Sequence, residues 1–193
     1  MGNAINILAL AGSTREASFN KKLVRLGVAA AREAGAEVTL IDLREYPMPL
    51  YDGDLEKAEG LPEKAVELKR MAAEHDGFLM AAPEYNHSIS GVLKNTIDWM
   101  SRPMKNDDPG NVFKGKPAAL MSASPGAAGG QRGLVHVRGV LNALGVLVLP
   151  EYVAIPKAMN AFDEKGVLKD ESARKQVNLV VSALVEITRR IRA

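Results

Sequence analysis

Residues 5–20 read INILALAGSTREASFN, and this stretch decides the fold. Its apolar first half predicts a strand, which breaks at Gly12 into five small or polar residues. A helical pattern follows, with apolar residues four, three and four positions apart at Phe19, Leu23, Leu26 and Ala30. In an α/β chain, a first strand, a polar turn and a helix form a usual place for a phosphate group.

The turn itself carries groups that bind phosphate. A helix N-terminus offers unpaired N–H donors and a partial positive charge. Hydroxyl donors come from Ser13 and Ser18, an amide comes from Asn20, and Arg15 adds a charged fork that suits phosphate oxygens. Taken alone, Ser18 is more simply a helix N-cap and Arg15 a solvated loop charge. Taken together, the stretch indicates a phosphate site.

Two common phosphate motifs are absent from this stretch. It lacks Gly-x-Gly-x-x-Gly, the fingerprint of dinucleotide folds, and Gly-x-x-x-x-Gly-Lys-Ser/Thr, the loop of nucleoside triphosphatases. The remaining common design is flavodoxin-like. There a hydroxyl-rich first loop holds the phosphate of FMN, at the switch point of a sheet with strand order 2-1-3-4-5.

Composition limits the function classes. The chain has 193 residues, which suits a single domain over residues 1–193. The net charge is +2 with both signs interspersed, so neither nucleic acid nor a membrane surface is an expected partner. The chain has no cysteine, so electrons would need an organic cofactor. No membrane-length apolar run or signal peptide is found, and we expect a cytoplasmic location.

A second loop follows the predicted strand at residues 78–82. It reads PEYN from Pro83 to Asn86 and leads into another helix. Pro83 stiffens the turn, Tyr85 supplies a flat aromatic ring, and Asn86 can donate or accept hydrogen bonds. A surface formed by these three side chains suits a planar ring with polar edges, such as isoalloxazine. The alternative is an ordinary turn with a partly buried tyrosine.

A third small-residue loop begins at Ser124, after a predicted strand at residues 117–122. Five predicted strands alternate with five helices, which indicates an α/β fold: a three-layer sandwich around a five-stranded parallel sheet. We expect the fifth strand to end at residue 149, before Pro150, and residues 43–60 to be irregular. The three loops leave the same edge of the sheet and should meet in one crevice.

Three motifs together resemble a known family. LAGSTR at residues 10–15, PEYN at residues 83–86 and LKNTIDW at residues 93–99 are similar to the NADPH-dependent FMN reductase family, especially bacterial chromate and quinone reductases. The resemblance covers about residues 5–150. It implies a flavodoxin-like fold with bound FMN and with NADPH or NADH as cosubstrate. It also implies small electron acceptors: quinones, azo compounds, free flavin or metal oxyanions such as chromate.

The resemblance also implies site residues by position. For the phosphate these are Ser13, Arg15, Ser18 and Asn20; for the isoalloxazine, Pro83, Glu84, Tyr85 and Asn86; for its other side, Ser124, Pro125 and Gly126. Family members form homodimers or homotetramers. The helix with Trp99 and Met100 is therefore a candidate interface, with core packing as the alternative.

We predict no acid–base catalyst and no metal site, because the three histidines show neither metal-ligand spacing nor a nucleophile–base set. We expect His75 to cap a helix end, and contact between His87 and a ligand stays open. Two other functions remain: a non-catalytic flavodoxin-type electron carrier, and a flavin-free phosphate-binding module or phosphoryl-transfer enzyme. The latter would need acidic Mg²⁺ ligands at the strand ends.

Overall fold

A computed structural model describes residues 4–192. It contains strands β1 (Ile5–Ala11), β2 (Ala36–Asp42), β3 (Gly77–Ala81), β4 (Glu84–Tyr85), β5 (Ser88–Ile89), β6 (Pro117–Ala123) and β7 (Leu147–Ile155). Five of them form a parallel sheet in the order β2-β1-β3-β6-β7, and β4 and β5 form a separate antiparallel hairpin. Counted along the chain, the sheet order is 2-1-3-4-5, so the flavodoxin-like prediction is confirmed.

Helices cover both faces of the sheet. They are α1 (Phe19–Glu33), α2 (Gly53–Glu59), α3 (Glu63–Glu74), α4 (Gly91–Ser101), α5 (Gln131–Ala143), α6 (Ala158–Ala161) and α7 (Glu171–Arg192), with a 3-10 turn at Leu43–Glu45. One apolar core joins α1 and α7 to the sheet, and a second joins α3, α4 and α5 to the opposite face. Within residues 4–192, no helix has the length and apolarity needed to cross a membrane.

The central strands are nearly continuous apolar runs because helices bury both of their faces. Every residue of β3 and of β6 is buried. The edge strand β2 mixes buried and exposed residues. The sequence therefore marks the middle of the sheet more clearly than its edge.

The prediction that the fifth strand ends before Pro150 is wrong. Strand β7 continues through Pro150 to Ile155, and its pairing with β6 shifts register between Ala118 and Leu120. Proline cannot donate to a ladder, but an edge strand tolerates it at an irregularity of this kind. Pro150 is therefore compatible with β7 because β7 is an edge strand, although the sequence alone suggests that the strand ends there.

The prediction that residues 43–60 are irregular is also wrong in part. This segment contains the 3-10 turn and helix α2, which is capped by Asp52 through a 2.8 Å hydrogen bond from Asp54 N to Oδ1. No residue of α2 is buried. Without a buried face, α2 has no apolar periodicity for a sequence pattern to reveal.

Two side-chain expectations on the helices are settled. His75 caps the end of α3, as predicted, with Nδ1 2.6 Å from the Met71 carbonyl and Nε2 2.8 Å from Oγ1 of Thr39. Trp99 is 0% exposed and Met100 is also buried, so the core-packing alternative describes both side chains.

Gly130 at the start of α5 allows a test of the third loop. Its φ is +90°, and a Cβ there would overlap Oγ of Ser122. We expect Gly130→Ala to lower the free energy of unfolding of the apo-protein by about 2–4 kcal/mol, because strain and overlap add.

Gly139 provides the matched control, since it lies in the exposed interior of α5 with no atom near its missing Cβ. Gly139→Ala should raise stability by about 0.5–1 kcal/mol. Urea unfolding of both variants measures the difference. Equal stability of the two variants would contradict the role given to Gly130.

Candidate functional site

Three loops meet at the carboxyl edge of the sheet. They follow the adjacent strands β1, β3 and β6 and comprise residues 12–18 (first loop), 82–90 (second loop) and 124–130 (third loop). Hydrogen bonds of the sheet continue into them: Gly12 N donates to Ala81 O at 2.9 Å, and Ala82 N donates to Met121 O at 2.8 Å. The starts of the three loops are therefore fixed side by side, as the sequence predicted.

The first loop presents donors that the rest of the chain does not use. Ser13 Oγ accepts a 3.3 Å hydrogen bond from Arg15 N, but the Arg15 side chain is exposed and makes no hydrogen bond or ion pair within residues 4–192. The backbone N–H groups of Thr14 and Glu16 likewise have no partner in that range. Ser18 Oγ caps α1 by accepting from Lys21 N at 3.4 Å, so the simpler explanation of Ser18 holds at least in part.

A partly buried ion pair lies beside the first loop. Lys21 Nζ is 2.6 Å from Oδ2 of Asp42, at the end of β2. Burial raises the pKa of Asp42, but hydrogen bonds from Lys21 and from the Arg44 backbone outweigh burial and hold this pKa below its ordinary value. Because Asp42 neutralises Lys21, the positive charge that the first loop offers to an anion is that of Arg15.

Asn20 connects the start of α1, just after the first loop, to the end of β6, just before the third. Its Nδ2 donates to Ala123 O at 2.9 Å, and its Oδ1 accepts from Ala123 N at 3.0 Å. The side chain is buried. The structure thus engages the Asn20 amide at the end of β6, and direct binding of phosphate by Asn20 stays a prediction.

The second loop is a hairpin that points Tyr85 toward solvent. Asn86 and His87 have φ values of +50° and +63°, as in a type I′ turn, a conformation that Asn and His adopt more readily than most other side chains. Tyr85 is 50% exposed, whereas Pro83 is buried. The alternative of a core-anchored tyrosine therefore does not describe Tyr85.

Helix α5 holds this hairpin through polar contacts. Glu84 Oε2 accepts a 2.9 Å hydrogen bond from Gly133 N in the first turn of α5, where a carboxylate is favoured. Nδ1 of His87 lies 2.9 Å from Nη1 of Arg132. Glu84 and His87 thus have partners within the chain; contact of Glu84 with a ligand stays a prediction, and that of His87 stays open.

The third loop is tied to the chain that follows β7. Ser124 N donates to Ile155 O at 3.1 Å, and Lys157 N donates to Gly126 O at 3.2 Å. The third loop therefore rises from a fixed base, and Pro125 and Gly126 are open to solvent.

Asn95 and Trp99 of α4 hold a segment that we call the strap, residues 49–56. The sequence predicted a polar role for neither residue. Asn95 Nδ2 and Trp99 Nε1 both donate to Pro49 O, at 2.9 and 2.8 Å. Asn95 Oδ1 accepts from Tyr51 N at 2.8 Å. The sequence signal for this role is the spacing of Asn95 and Trp99, which lie four residues apart and so share one helix face.

Hydrogen bonds to the carboxylate of Glu56 also hold the strap in place. Glu56 accepts hydrogen bonds from Tyr51 OH at 2.8 Å and from Arg102 Nε at 2.9 Å. Burial raises the pKa of Glu56, but these two hydrogen bonds lower it below its ordinary value. A cavity of about 390 Å³ opens between α2 and residues 102–105, and none of its lining residues belongs to the three loops.

With this geometry in place, comparison with known proteins decides the family. Residues 5–160 match the family model described as NADPH-dependent FMN reductase. The chain belongs to this family. The sequence-based prediction of an oxidoreductase of FMN and NAD(P)H is thereby confirmed.

Relatives agree with the NADPH-dependent FMN reductase assignment. The chain is 38% identical over 194 residues to an NAD(P)H-dependent FMN reductase of Pseudomonas aeruginosa, with full coverage of both chains. It is 36% identical to an NAD(P)H:quinone oxidoreductase of Solanum tuberosum, covering 93% of this chain and 91% of the relative. A solved flavoenzyme NAD(P)H:(acceptor) oxidoreductase of Paracoccus denitrificans superposes with a TM-score of 0.80 at 29% identity, covering 97% and 98% of the two chains.

The fastening of the strap can be tested with Asn95→Ala. This change removes two hydrogen bonds, to Pro49 O and from Tyr51 N, while the surface of α4 stays intact. We expect chymotrypsin to cut the strap at Leu50 or Tyr51 about fivefold faster or more, because local opening becomes easier.

Lys94→Ala is the matched control one residue away. Within residues 4–192, Lys94 pairs only with Asp98, at 2.8 Å on the same helix, and such pairs contribute little. Its cleavage rate should stay near that of the unmodified protein. Equal rates for the Asn95 and Lys94 variants would show that the strap does not depend on Asn95.

Proposed function

We propose that this member of the NADPH-dependent FMN reductase family binds FMN across the three loops and reduces quinones with electrons from NAD(P)H. The observation that carries the proposal is the meeting, at one sheet edge, of a donor-rich first loop and an exposed aromatic hairpin. Adjacent strands fix both, so a ligand with a phosphate at one end and a flat ring at the other fits this edge.

The first loop suits the phosphate end of FMN. Its free backbone N–H groups lie before the N-terminus of α1, where an anion is favoured. Arg15 has no ion-pair partner within residues 4–192 and can give its full charge to phosphate oxygens. We propose that Ser13, Arg15 and Ser18 bind the phosphate directly. Asn20 acts through its hydrogen bonds with Ala123, with or without direct contact to the phosphate.

The second and third loops suit the ring end. We propose that Tyr85 and Asn86 face the isoalloxazine from a hairpin whose base is set by Pro83 and Glu84. The backbone around Ser124, Pro125 and Gly126 would close the other side. Because contacts within the chain already fix these loops, little ordering should be needed on binding.

The residues of this chain bind and orient the cofactor and the substrates. They need not supply an acid, a base or a nucleophile. Bound FMN supplies hydride and electron transfer, chemistry that protein side chains lack. We propose that the nicotinamide donor and the acceptor occupy the same place in turn, beside the exposed side chain of Tyr85. We propose quinones as acceptors because the relative from Solanum tuberosum is named for them. Azo compounds, free flavin and chromate remain predicted acceptors.

We further propose that the protein acts as a homodimer or homotetramer of single-domain chains in the cytoplasm. Leu50, on the strap, is 81% exposed, and Tyr85 is also exposed in the single chain. Exposed apolar side chains become subunit contacts where they belong to one patch. The cytoplasm contains the NAD(P)H that the proposed reaction uses.

Arg15→Ala tests the phosphate end. Because a charge-assisted hydrogen bond is lost, FMN binding should weaken by about 1.5–3 kcal/mol, while riboflavin, which has no phosphate, should bind both proteins alike. Fluorescence titration of the apo-protein measures both affinities. Arg25→Ala, an exposed cation on α1 outside the loop, is the control and should change neither. An FMN affinity equal to that of the control would contradict the assignment of Arg15.

Tyr85→Ala tests the ring end. Since Tyr85 is half exposed, its loss should cost the apo-protein less than about 0.5 kcal/mol of stability. Flavin affinity or the rate of flavin reduction by NADPH should fall clearly in the same variant. Stopped-flow reduction and thermal melting, done on one preparation, separate the effects. A large loss of melting temperature with unchanged reduction would assign Tyr85 to the core.

A further inference from the structure

Ser90 lies between the hairpin and α4, and its hydroxyl makes two contacts. It donates to the Gly12 carbonyl of the first loop at 2.7 Å. It also accepts from Leu93 N at 3.4 Å, as the N-cap of α4. Ser90 is buried, and neither the sequence motifs nor the family resemblance singled it out.

The contact at Gly12 fixes one peptide unit from both sides. The carbonyl of Gly12 accepts from Ser90, and the N–H of the same peptide, on Ser13, donates to Ala11 O at 2.8 Å. A peptide unit is planar, so holding both groups sets the direction in which the chain enters the first loop. The Ser13 hydroxyl, which accepts from Arg15 N, follows directly.

Helix α4 also touches Gly12 through apolar packing. A Cβ on Gly12 would lie 2.8 Å from Cδ2 of Leu93 and 2.9 Å from its Cβ. Glycine is therefore required here by close approach. Packing sets the distance between α4 and the first loop, whereas the Ser90 hydrogen bond restrains the orientation of the Gly12 carbonyl directly.

We infer that Ser90 is a positioning residue, which holds the phosphate-binding first loop in its binding orientation against the second loop. This inference rests on the proposed function, because it assumes that the first loop binds the FMN phosphate. Ser90 has no proton to donate to a phosphate oxygen, because its one hydroxyl proton is used at Gly12 O. Its effect reaches the phosphate only through Gly12 and Ser13.

The inference predicts an effect on the phosphate rather than on the ring. In Ser90→Ala, the Gly12–Ser13 peptide loses one of its two restraints, so the donors of the first loop must be ordered on binding. FMN should bind about threefold to tenfold more weakly, and riboflavin less than about twofold more weakly. A role confined to capping α4 would weaken both flavins equally.

The experiment measures FMN and riboflavin affinities of the full-length apo-protein by fluorescence titration. Ser101→Ala is the control, because Ser101 Oγ also donates to a backbone carbonyl at 2.7 Å, that of Asp98, but at the other end of α4. Ser90→Thr keeps the hydroxyl and should restore the FMN-to-riboflavin affinity ratio. If Ser90→Ala does not fold, Ser90→Cys, with its weaker donor, should lower the ratio by a smaller factor.

The outcomes separate the inference from the proposed function. A ratio that falls in Ser90→Ala, stays unchanged in Ser101→Ala and returns in Ser90→Thr supports the positioning role. An unchanged ratio in the Ser90 variants, with FMN still preferred over riboflavin, overturns the inference and leaves the proposed function standing. If the unmodified protein binds neither flavin, the proposed function fails and the inference fails with it.

Discussion

The hydrogen bond from Gly12 N to the Ala81 carbonyl is the contact on which the rest of the site depends. It extends the pairing of β1 and β3 by one step beyond the sheet. The bond from Ala82 N to Met121 O does the same between β3 and β6. Because the strands are parallel and adjacent, their loops open at one edge, and the sheet itself brings distant parts of the chain together.

Three side chains then join the loops to one another. Asn20 links the start of α1 to the end of β6 at Ala123, Ser90 links the second loop to Gly12, and Glu84 links the hairpin to the first turn of α5. Each thus ties a loop, or the element that borders it, to a distant part of the same sheet edge. Such bracing lowers the ordering that a ligand must impose, which is a general source of affinity.

The bracing explains why position in a motif did not reveal what each residue does. Asn20 and Glu84 were predicted as ligands, yet their polar atoms meet partners 103 and 49 residues away in sequence. Arg15 and Tyr85 belong to the same motifs, and within residues 4–192 their side chains are exposed and accessible to a ligand. A motif therefore brings together residues that have partners within the chain and residues that stay open to solvent.

The sequence by itself determined the sheet order, the three loops and the family, because apolar runs and their breaks are local signals and the motifs are specific. Only the tertiary structure decided that Pro150 lies within β7, that Asn95 and Trp99 hold the strap, and that Ser90 reaches Gly12. The physical reason is shared by all three. Each depends on a partner far along the chain, and a hydrogen bond between distant segments leaves no periodic trace in the sequence of either one.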